Sequence, residues 1–345
     1  MNSALRILVI RLTAMGDIVL TTPVYANLRH CFPDAHISVL TDTRFASLLN
    51  NNPHINTIIS VNQKNISDRK EFHHPFDMVF DLHRTIRSFR WRRYIKTKKM
   101  YVYRKHSFAR RAAVLFKIGK NAAASVKNSY LNALRKAGVS IHTNALELFF
   151  SPDEKSAVEQ HSIRITGNNP ADTKRPLIAL APGAHWNTKQ WPYFTDLVRL
   201  LTQKYNARFL CIGGSDEFDY AHALFPDTSM VANLCGKLTP NESAYALSKA
   251  DILITNDTGS MHLADAVGTP LIALFGPTVQ RFGFFPSRET SHVMQAQVWC
   301  RPCSLHGTQR CPLTHHRCMT AISVENVIAQ IHILLTDVNT KRSTV

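Results

Sequence analysis

The 345-residue chain carries a formal net charge of +17, with 41 lysines and arginines against 24 aspartates and glutamates. Its length allows two domains of ordinary size, and a hydrophobic content of 45% is normal for a globular protein. No stretch reaches the roughly 18 to 20 uninterrupted apolar residues of a membrane-spanning helix, which excludes an integral helical membrane protein.

The chain begins with MNSALRILVIR, which has neither a charged leader nor a small-residue cleavage site after its apolar run. We therefore predict a cytoplasmic protein. LRILVI predicts a first strand, and the turn and helix after it, residues 11–23, hold one glycine, Gly16, and no lysine. This turn differs from a phosphate-binding turn because it places the carboxylate of Asp17 where an anion would lie. Asp17 has two explanations, a functional carboxylate or a helix cap.

The first half of the chain alternates short β-branched runs with amphipathic stretches. After the helix that begins near Asp17 come HISVLTD, FASLLNNN, INTIISV and FDMVFDLH. Alternation of strands and helices predicts parallel βαβ units, so we expect an α/β N-terminal domain at residues 1–165.

A basic segment follows the last of these strands and predicts helices over about residues 84–137. Between Asp81 and Glu147 the sequence has 17 lysines and arginines and no acidic residue, whereas the rest of the chain has 24 basic and 24 acidic residues. Segments of this kind bind nucleic acid, an anionic membrane surface or a phosphorylated substrate, or are simply solvated. Charge alone does not choose among these alternatives.

The polar stretch TGNNPADTKRP, residues 166–176, predicts a linker. Strand and helix patterns then restart and predict a second α/β domain at residues 177–322, followed by a C-terminal helix and tail at residues 323–345 with Ser323 as N-cap. We expect two doubly wound, Rossmann-like domains that face a cleft, with ligands at the carboxyl ends of the strands. Glycosyltransferases, epimerases and binding proteins share this layout.

The strongest motif of the second domain is DILITNDTGSMHLADAVGTPLIALFGPT, residues 251–278. A buried strand leads into the turn that contains Asp257, Thr258 and Gly259, and a helix then carries His262. Backbone amides at the start of that helix suit a diphosphate. The alternative is that Asp257 caps the helix and His262 packs in the core.

Two further turns are less specific. In APGAHWNTKQWP, residues 181–192, Lys189 could neutralise a leaving phosphate or be an ordinary exposed lysine. In CIGGSDEFD, residues 211–219, Glu217 follows a strand and could accept hydrogen bonds from a ribose or cap a helix.

A cysteine-rich segment, CRPCSLHGTQRCPLTHHRC, spans residues 300–318. Four soft ligands in so short a segment suit tetrahedral zinc, although the C-x₆-C spacing of the second pair departs from the common C-x₂-C. Structural zinc, reduced thiols and disulfides all explain the segment. The candidate zinc ligands are Cys300, Cys303, Cys311 and Cys318.

Taken together, MGDIVLTTP, PGAHWNTKQWP and TNDTGSMHLADAVGTPLIALFGPT resemble the motifs of glycosyltransferase family 9, the lipopolysaccharide heptosyltransferases. The resemblance extends over nearly the whole chain. It implies a two-domain GT-B fold, ADP-heptose as the donor, inversion at the anomeric carbon and an acceptor in the inner core of lipopolysaccharide. No acidic DxD-type pair stands where it would bind a metal–diphosphate complex, so we predict no required catalytic metal or cofactor.

The resemblance also implies roles for single residues. Asp17 is expected to be the catalytic base, and Lys189 to contact the donor phosphate or sugar. Glu217 is expected to hold the ribose, and Leu238 to line the adenine pocket. The remaining donor-binding candidates are Asp257, Thr258, Gly259 and His262, and the acceptor-side candidates are Thr13, Gly16, Arg84 and Arg87.

The basic segment then fits an anionic glycolipid acceptor at the cytoplasmic face of the inner membrane. We predict a peripheral, salt-sensitive membrane association and no nucleic-acid partner. Two alternatives remain. One is a transferase or epimerase of the same fold that uses another nucleotide sugar. The other is a basic nucleic-acid-binding module, which would leave both sharp turn motifs unexplained.

Overall fold

A computed structural model describes the chain as two compact α/β units. Unit 1 lies within residues 1–107 and 124–150, and unit 2 lies within residues 108–123 and 151–345. The structure describes residues 4–62, 70–105, 107–117, 125–166, 175–227 and 230–343.

The regular elements of the described residues are eleven strands and twelve α-helices, besides short 3₁₀ turns. The strands are β1 (Arg6–Ile10), β2 (His36–Asp42), β3 (Thr57–Val61), β4 (Phe76–Asp81), β5 (Thr97–Val102), β6 (Leu177–Ala181), β7 (Arg208–Cys211), β8 (Val231–Asn233), β9 (Ile252–Asn256), β10 (Leu271–Phe275) and β11 (Ser291–Gln295). The helices are α1 (Met15–Val19), α2 (Thr22–Cys31), α3 (Ile86–Arg92), α4 (Ser107–Leu115), α5 (Val126–Lys136), α6 (Pro152–Thr166), α7 (Phe194–Tyr205), α8 (Phe218–Leu224), α9 (Pro240–Ser248), α10 (Gly259–Val267), α11 (Arg317–Thr320) and α12 (Val324–Ser343).

Unit 1 is built on a parallel sheet with the strand order β3-β2-β1-β4-β5. The central strand β1 is a continuous apolar run, and Ile7 through Ile10 are fully buried, because helices cover both faces of a parallel sheet. The chain builds β2 and β3 on one side of β1 and then returns to add β4 and β5 on the other. The direction of winding therefore reverses between β1 and β4, the place where doubly wound folds bind ligands.

Unit 2 has a second parallel sheet, with the order β11-β10-β9-β6-β7-β8. Here the reversal lies between β6 and β9. The strands β6, β9 and β10 are buried along their whole length, and α7 and α12 pack their apolar faces onto them. Ser323 accepts a hydrogen bond from the Asn326 amide at 3.3 Å, which confirms the predicted cap and the C-terminal helix. Two doubly wound α/β units confirm the predicted fold class.

The division between the units differs from the predicted boundary at residue 165. Helix α6 belongs to unit 2 because it packs on α9, where the carboxylates of Glu154 and Glu159 accept hydrogen bonds from Asn241 and Tyr245 at 2.8 and 3.0 Å. Most of the predicted linker, residues 166–176, lies outside the described residues.

The basic segment is also less uniformly helical than predicted. It contains the edge strand β5, which pairs with β4 in parallel register. The lysines of TKKMYV obscure the strand pattern in the sequence. An edge strand tolerates them because one of its sides faces solvent, and Lys98 and Lys99 are exposed. Helix α4, from the same segment, packs on Val279 and Phe282 and so belongs to unit 2.

Candidate functional site

Asp17 lies in α1, just beyond the carboxyl end of β1 and therefore at the switch point of unit 1. Its Oδ2 is 2.5 Å from Nη2 of Arg11, and its Oδ1 accepts a hydrogen bond of 2.7 Å from the hydroxyl of Tyr130. The side chain of Asp17 is 17% exposed and that of Arg11 only 7%. The carboxylate is thus oriented from two sides and still open to solvent.

The partners of Asp17 are themselves fixed. Burial, followed by the charge of Asp17, raises the pKa of Tyr130 well above its usual value, so its hydroxyl stays protonated and donates. Arg11 donates its other Nη to the carbonyl of Leu82 at 2.6 Å. The helix-cap alternative explains less, because the Ala14 amide is 3.5 Å from the Asp17 carboxylate, the outer limit for a hydrogen bond.

The turn after β4 lies beside this carboxylate, and its histidine was missed in the sequence. Buried Asp81 accepts hydrogen bonds from the His83 amide and from Ser88 and Arg92. His83 is 7% exposed, and its Nδ1 has no hydrogen-bond partner within the described residues. Burial, and then the charge of Arg11, lowers the pKa of His83 to about 4, so the ring is neutral at neutral pH.

The predicted acceptor-side residues fall on these two turns. Thr13 and Gly16 are partly exposed in the turn after β1. Arg84 is exposed, with a positive φ of 46° and its amide bound to Asp81. Arg87 donates to Asp42 at 2.9 Å, so its guanidinium is anchored to the end of β2.

In unit 2, Lys189 and Asp257 form an ion pair at the switch point between β6 and β9. Lys189 Nζ is 2.6 Å from Asp257 Oδ2 and donates to the Asp257 carbonyl at 3.1 Å. Thr278 also donates to Oδ2, at 2.8 Å. The two charged side chains are 14% and 12% exposed. The sequence placed both residues on candidate turns but did not predict that they pair.

The first turn of α10 presents backbone amides beside this pair. Thr258 is the residue before the helix, and its side chain makes no capping hydrogen bond. It lies instead 3.3 Å from the hydroxyl of Thr255. Because the first amides of a helix have no partner within it, residues 258–260 can receive an anion. His262 is only 4% exposed on α10, as the packing alternative expects.

Glu217 and Leu238, the least distinctive predictions, lie on neighbouring segments. Glu217 Oε2 accepts from the Gly214 amide at 2.8 Å, and burial raises the pKa of its carboxyl. A Cβ at Gly183 would collide with that carboxylate, so Glu217 keeps this position only beside a residue without a side chain. The Gly236 amide donates to the Gly213 carbonyl at 3.0 Å, which draws the chain before Leu238 against the Glu217 turn.

Comparison with known proteins places the chain in a family. The model of glycosyltransferase family 9 (heptosyltransferase) matches residues 69–312, which is well over half of the chain. The chain belongs to glycosyltransferase family 9. It is 25% identical over 336 residues to lipooligosaccharide heptosyltransferase 2 of Campylobacter jejuni, with 94% of this chain and 96% of that protein covered.

Solved structures share the fold of this glycosyltransferase. A family 9 glycosyl transferase from Veillonella parvula aligns with a TM-score of 0.78 and 22% identity, covering 98% of this chain and 99% of the other. The ADP-heptose LPS heptosyltransferase II of E. coli aligns with a TM-score of 0.74 and 21% identity, covering 96% and 99%. The predicted family, enzyme class and fold are therefore confirmed.

Family membership also decides between alternatives of different classes. The protein is an enzyme, and its family supports this class over a nucleic-acid-binding module. Members of the family act without a required cofactor. Among the described residues, no helix is both long and apolar enough to cross a bilayer.

The cysteine-rich segment, residues 300–318, follows the predicted donor residues in the sequence. All seven cysteines of the chain are free thiols, so the disulfide explanation has no support. Cys300 Sγ is 3.8 Å from His315 Nε2. No three His, Cys, Asp or Glu side chains in the described part of the chain are arranged to hold a metal ion. Structural zinc at these cysteines stays a prediction from their spacing alone.

Proposed function

We propose that this glycosyltransferase moves heptose from ADP-heptose to an inner-core lipopolysaccharide acceptor, with inversion at the anomeric carbon. The family is described as a heptosyltransferase family. A similar protein of C. jejuni is a lipooligosaccharide heptosyltransferase, and a solved E. coli enzyme of the same fold is an ADP-heptose LPS heptosyltransferase. These relatives support both the donor and the class of acceptor.

The observation that carries the proposal is the Asp17 carboxylate, oriented by Arg11 and Tyr130. Each carboxylate oxygen has two lone pairs. Oδ2 faces Arg11 and the more distant Ala14 amide, whereas the hydrogen bond from Tyr130 uses one lone pair of Oδ1. A second lone pair can accept the proton of the acceptor hydroxyl while its oxygen attacks the anomeric carbon. A base positioned in this way contributes about 10²- to 10⁴-fold to the rate. Inversion needs one such base and no covalent intermediate.

The donor is assigned to unit 2. As the bond between the anomeric carbon and ADP breaks, its electron pair goes to a β-phosphate oxygen. The amides of residues 258–260 are preorganised to stabilise that charge, and the ammonium group of Lys189 turns from Asp257 to join them. Asp257 holds Lys189 and the sugar, Glu217 accepts hydrogen bonds from the ribose, and Leu238 lines the adenine pocket.

The acceptor is assigned to the turns after β1 and β4 of unit 1. Thr13, Gly16, Arg84 and Arg87 contribute contacts there, and the neutral ring of His83 can hydrogen-bond a sugar hydroxyl. An acceptor that carries phosphates and acidic sugars matches the acid-free basic segment. We place the enzyme at the cytoplasmic face of the inner membrane, held peripherally.

The test is a transfer assay with purified full-length protein. ADP-heptose is supplied with a set of truncated core acceptors, and products are weighed by mass spectrometry while ADP is measured. The proposal expects one acceptor to gain a heptose, with ADP released in equal amount. UDP- and GDP-sugars are the controls. Transfer from one of these, or turnover of the nucleotide sugar without an acceptor, would favour another transferase or an epimerase instead.

A further inference from the structure

The basic segment exposes an unusual number of large apolar side chains. The described residues include ten large hydrophobic side chains with high exposure, and six of these lie between residues 86 and 116. On α3, Ile86 is 77% exposed and Phe89 54%; on α4, Phe108 is 88% exposed and Leu115 74%. Several exposed, large apolar side chains on one helix mark a face that contacts an apolar partner.

These side chains are not needed to attach the helices to the fold. Helix α3 is held by its opposite face, through buried Trp91 and through hydrogen bonds from Ser88 and Arg92 to Asp81. Helix α4 is held by Ala113 and its neighbours, which pack on the Val279 and Phe282 cluster of unit 2. The outer faces are therefore left for another purpose.

Apolar and cationic side chains alternate on each outer face. Residues three, four and seven apart share one side of a helix, so Ile86 and Phe89 lie on the same side as exposed Arg90 and Arg93. Phe108 and Leu115 likewise flank exposed Arg111 on α4. No acidic residue occurs between Asp81 and Glu147 to oppose an anionic partner.

We propose that each of these outer faces, taken by itself, enters the headgroup region of an anionic bilayer. Ile86, Phe89, Phe108 and Leu115 reach the acyl boundary, and the arginines bind lipid phosphates. A nucleic acid would match the arginines alone and leave the four apolar side chains in water. A bilayer matches both kinds of side chain. The inference deepens the proposed function by naming the side chains that bind the membrane.

The position of α3 connects this surface to the reaction. Helix α3 begins at Ile86, directly after the His83–Arg84 turn, and the Leu82 carbonyl before that turn accepts a hydrogen bond from Arg11, the partner of Asp17. A helix that rests on the membrane therefore continues directly into the acceptor turn of unit 1. A lipid-linked acceptor can meet Asp17 without leaving its bilayer.

The experiment measures flotation of the full-length protein with phosphatidylcholine vesicles that contain or lack phosphatidylglycerol, at low and high salt. The variants are Ile86→Ser with Phe89→Ser, and Phe108→Ser with Leu115→Ser. The matched control is Ile333→Ser, which changes an exposed side chain on α12. Circular dichroism checks that each variant is folded.

We expect each double variant to bind anionic vesicles about tenfold more weakly, with Ile333→Ser unchanged. Wild type should keep part of its binding at high salt, because apolar insertion is not screened. Unchanged vesicle binding in both double variants overturns the inference. Complete loss of wild-type binding at high salt also overturns it. In a parallel assay with duplex DNA, loss of DNA binding by the serine variants while their vesicle binding persists overturns it as well.

A second readout separates this inference from the proposed function. With a water-soluble, acyl-free acceptor the double variants should turn over like wild type, whereas turnover of the same acceptor sugar on vesicle-embedded lipid should fall. Failure of heptose transfer in wild type would contradict the proposed function and leave vesicle flotation as an independent test. Equal losses on both acceptors would contradict the membrane role.

Discussion

Two turns of the molecule each pair a carboxylate with a cation, but they hold the cation differently. In unit 1, Asp17 lies beyond β1 and pairs with Arg11 at 2.5 Å; in unit 2, Asp257 lies beyond β9 and pairs with Lys189 at 2.6 Å. Both carboxylates lie at the switch point of a parallel sheet, and both are only 12 to 17% exposed.

The cations differ in how they are held. Arg11 is also held by the turn after β4, because it donates to the carbonyl of Leu82. Lys189 Nζ contacts the carboxylate and the carbonyl of one residue, Asp257, so rotation about the lysine stem breaks both contacts. A rigid guanidinium suits a carboxylate that must keep one orientation, and a flexible ammonium suits a phosphate whose charge grows during the reaction. On the proposed assignments, the first turn orients a base, while the second supplies a movable positive charge.

We expect the largest loss of activity from Asp17→Asn. The amide keeps the shape of the side chain but cannot accept the hydroxyl proton, so kcat should fall about 10²- to 10⁴-fold. ADP affinity, measured by calorimetry, should stay unchanged because the donor is assigned to unit 2. Asp34→Asn, at an exposed position of unit 1, is the matched control. Turnover near the wild-type rate in Asp17→Asn would remove the base assignment.

Lys189→Met tests the movable charge. The substitution keeps an unbranched stem and removes the ammonium group, so kcat/KM should fall about 10²- to 10³-fold. ADP should also bind more weakly, in contrast to Asp17→Asn. Lys204→Met, on the exposed side of α7, should change neither value. If ADP affinity and kcat/KM both survive in Lys189→Met, Lys189 is not a donor contact.

Tyr130→Phe sharpens the claim that Asp17 is oriented from two sides. Loss of the 2.7 Å hydrogen bond to Oδ1 should lower kcat about tenfold, with the KM for the donor unchanged. Tyr25→Phe is the control, since that buried hydroxyl lies 2.9 Å from Thr21 rather than against Asp17. Equal kcat values for the two variants would show that Tyr130 does not position the base.

His83 gives a smaller, pH-dependent effect in unit 1. Its pKa is lowered to about 4 in the folded chain from 6.5, so the unfolded chain binds the proton more tightly. The free energy of unfolding should therefore fall as pH drops from 6.5 towards 4, by at most about 1.4 kcal/mol per pH unit from this residue. Urea unfolding of His83→Gln should show a flatter dependence than wild type. Parallel curves for the two proteins would contradict the burial argument, and exposed His74→Gln serves as the control.

Local sequence was enough to predict the buried central strands and the turns that follow them, but not the edge strand β5. RILVI and ILITN are apolar runs that end in polar residues, and a parallel sheet gathers such ends at one edge. Asp17 and Asp257 follow such runs, and Lys189 lies on the loop after β6. Their roles came from the motif resemblance and stay predictions. His83 carries the same signal, a polar residue just beyond a buried strand, and the same rule could have found it.

The partners of these residues could not be predicted. Tyr130 lies 113 residues from Asp17 in the sequence, and Thr278 lies 21 residues from Asp257. Contacts across such separations depend on how helices pack on the sheets, which local periodicity does not encode. For the same reason the basic segment predicted one helical region, whereas β5 joins the sheet of unit 1 and α4 packs on unit 2.

A crystal structure with a non-transferable ADP-heptose analogue tests the assignment of the two turns most directly. We expect the diphosphate to lie within hydrogen-bond distance of the amides of residues 258–260, with Lys189 Nζ turned from Asp257 onto a phosphate oxygen. A diphosphate seated beside Asp17, away from residues 257–259, would contradict it.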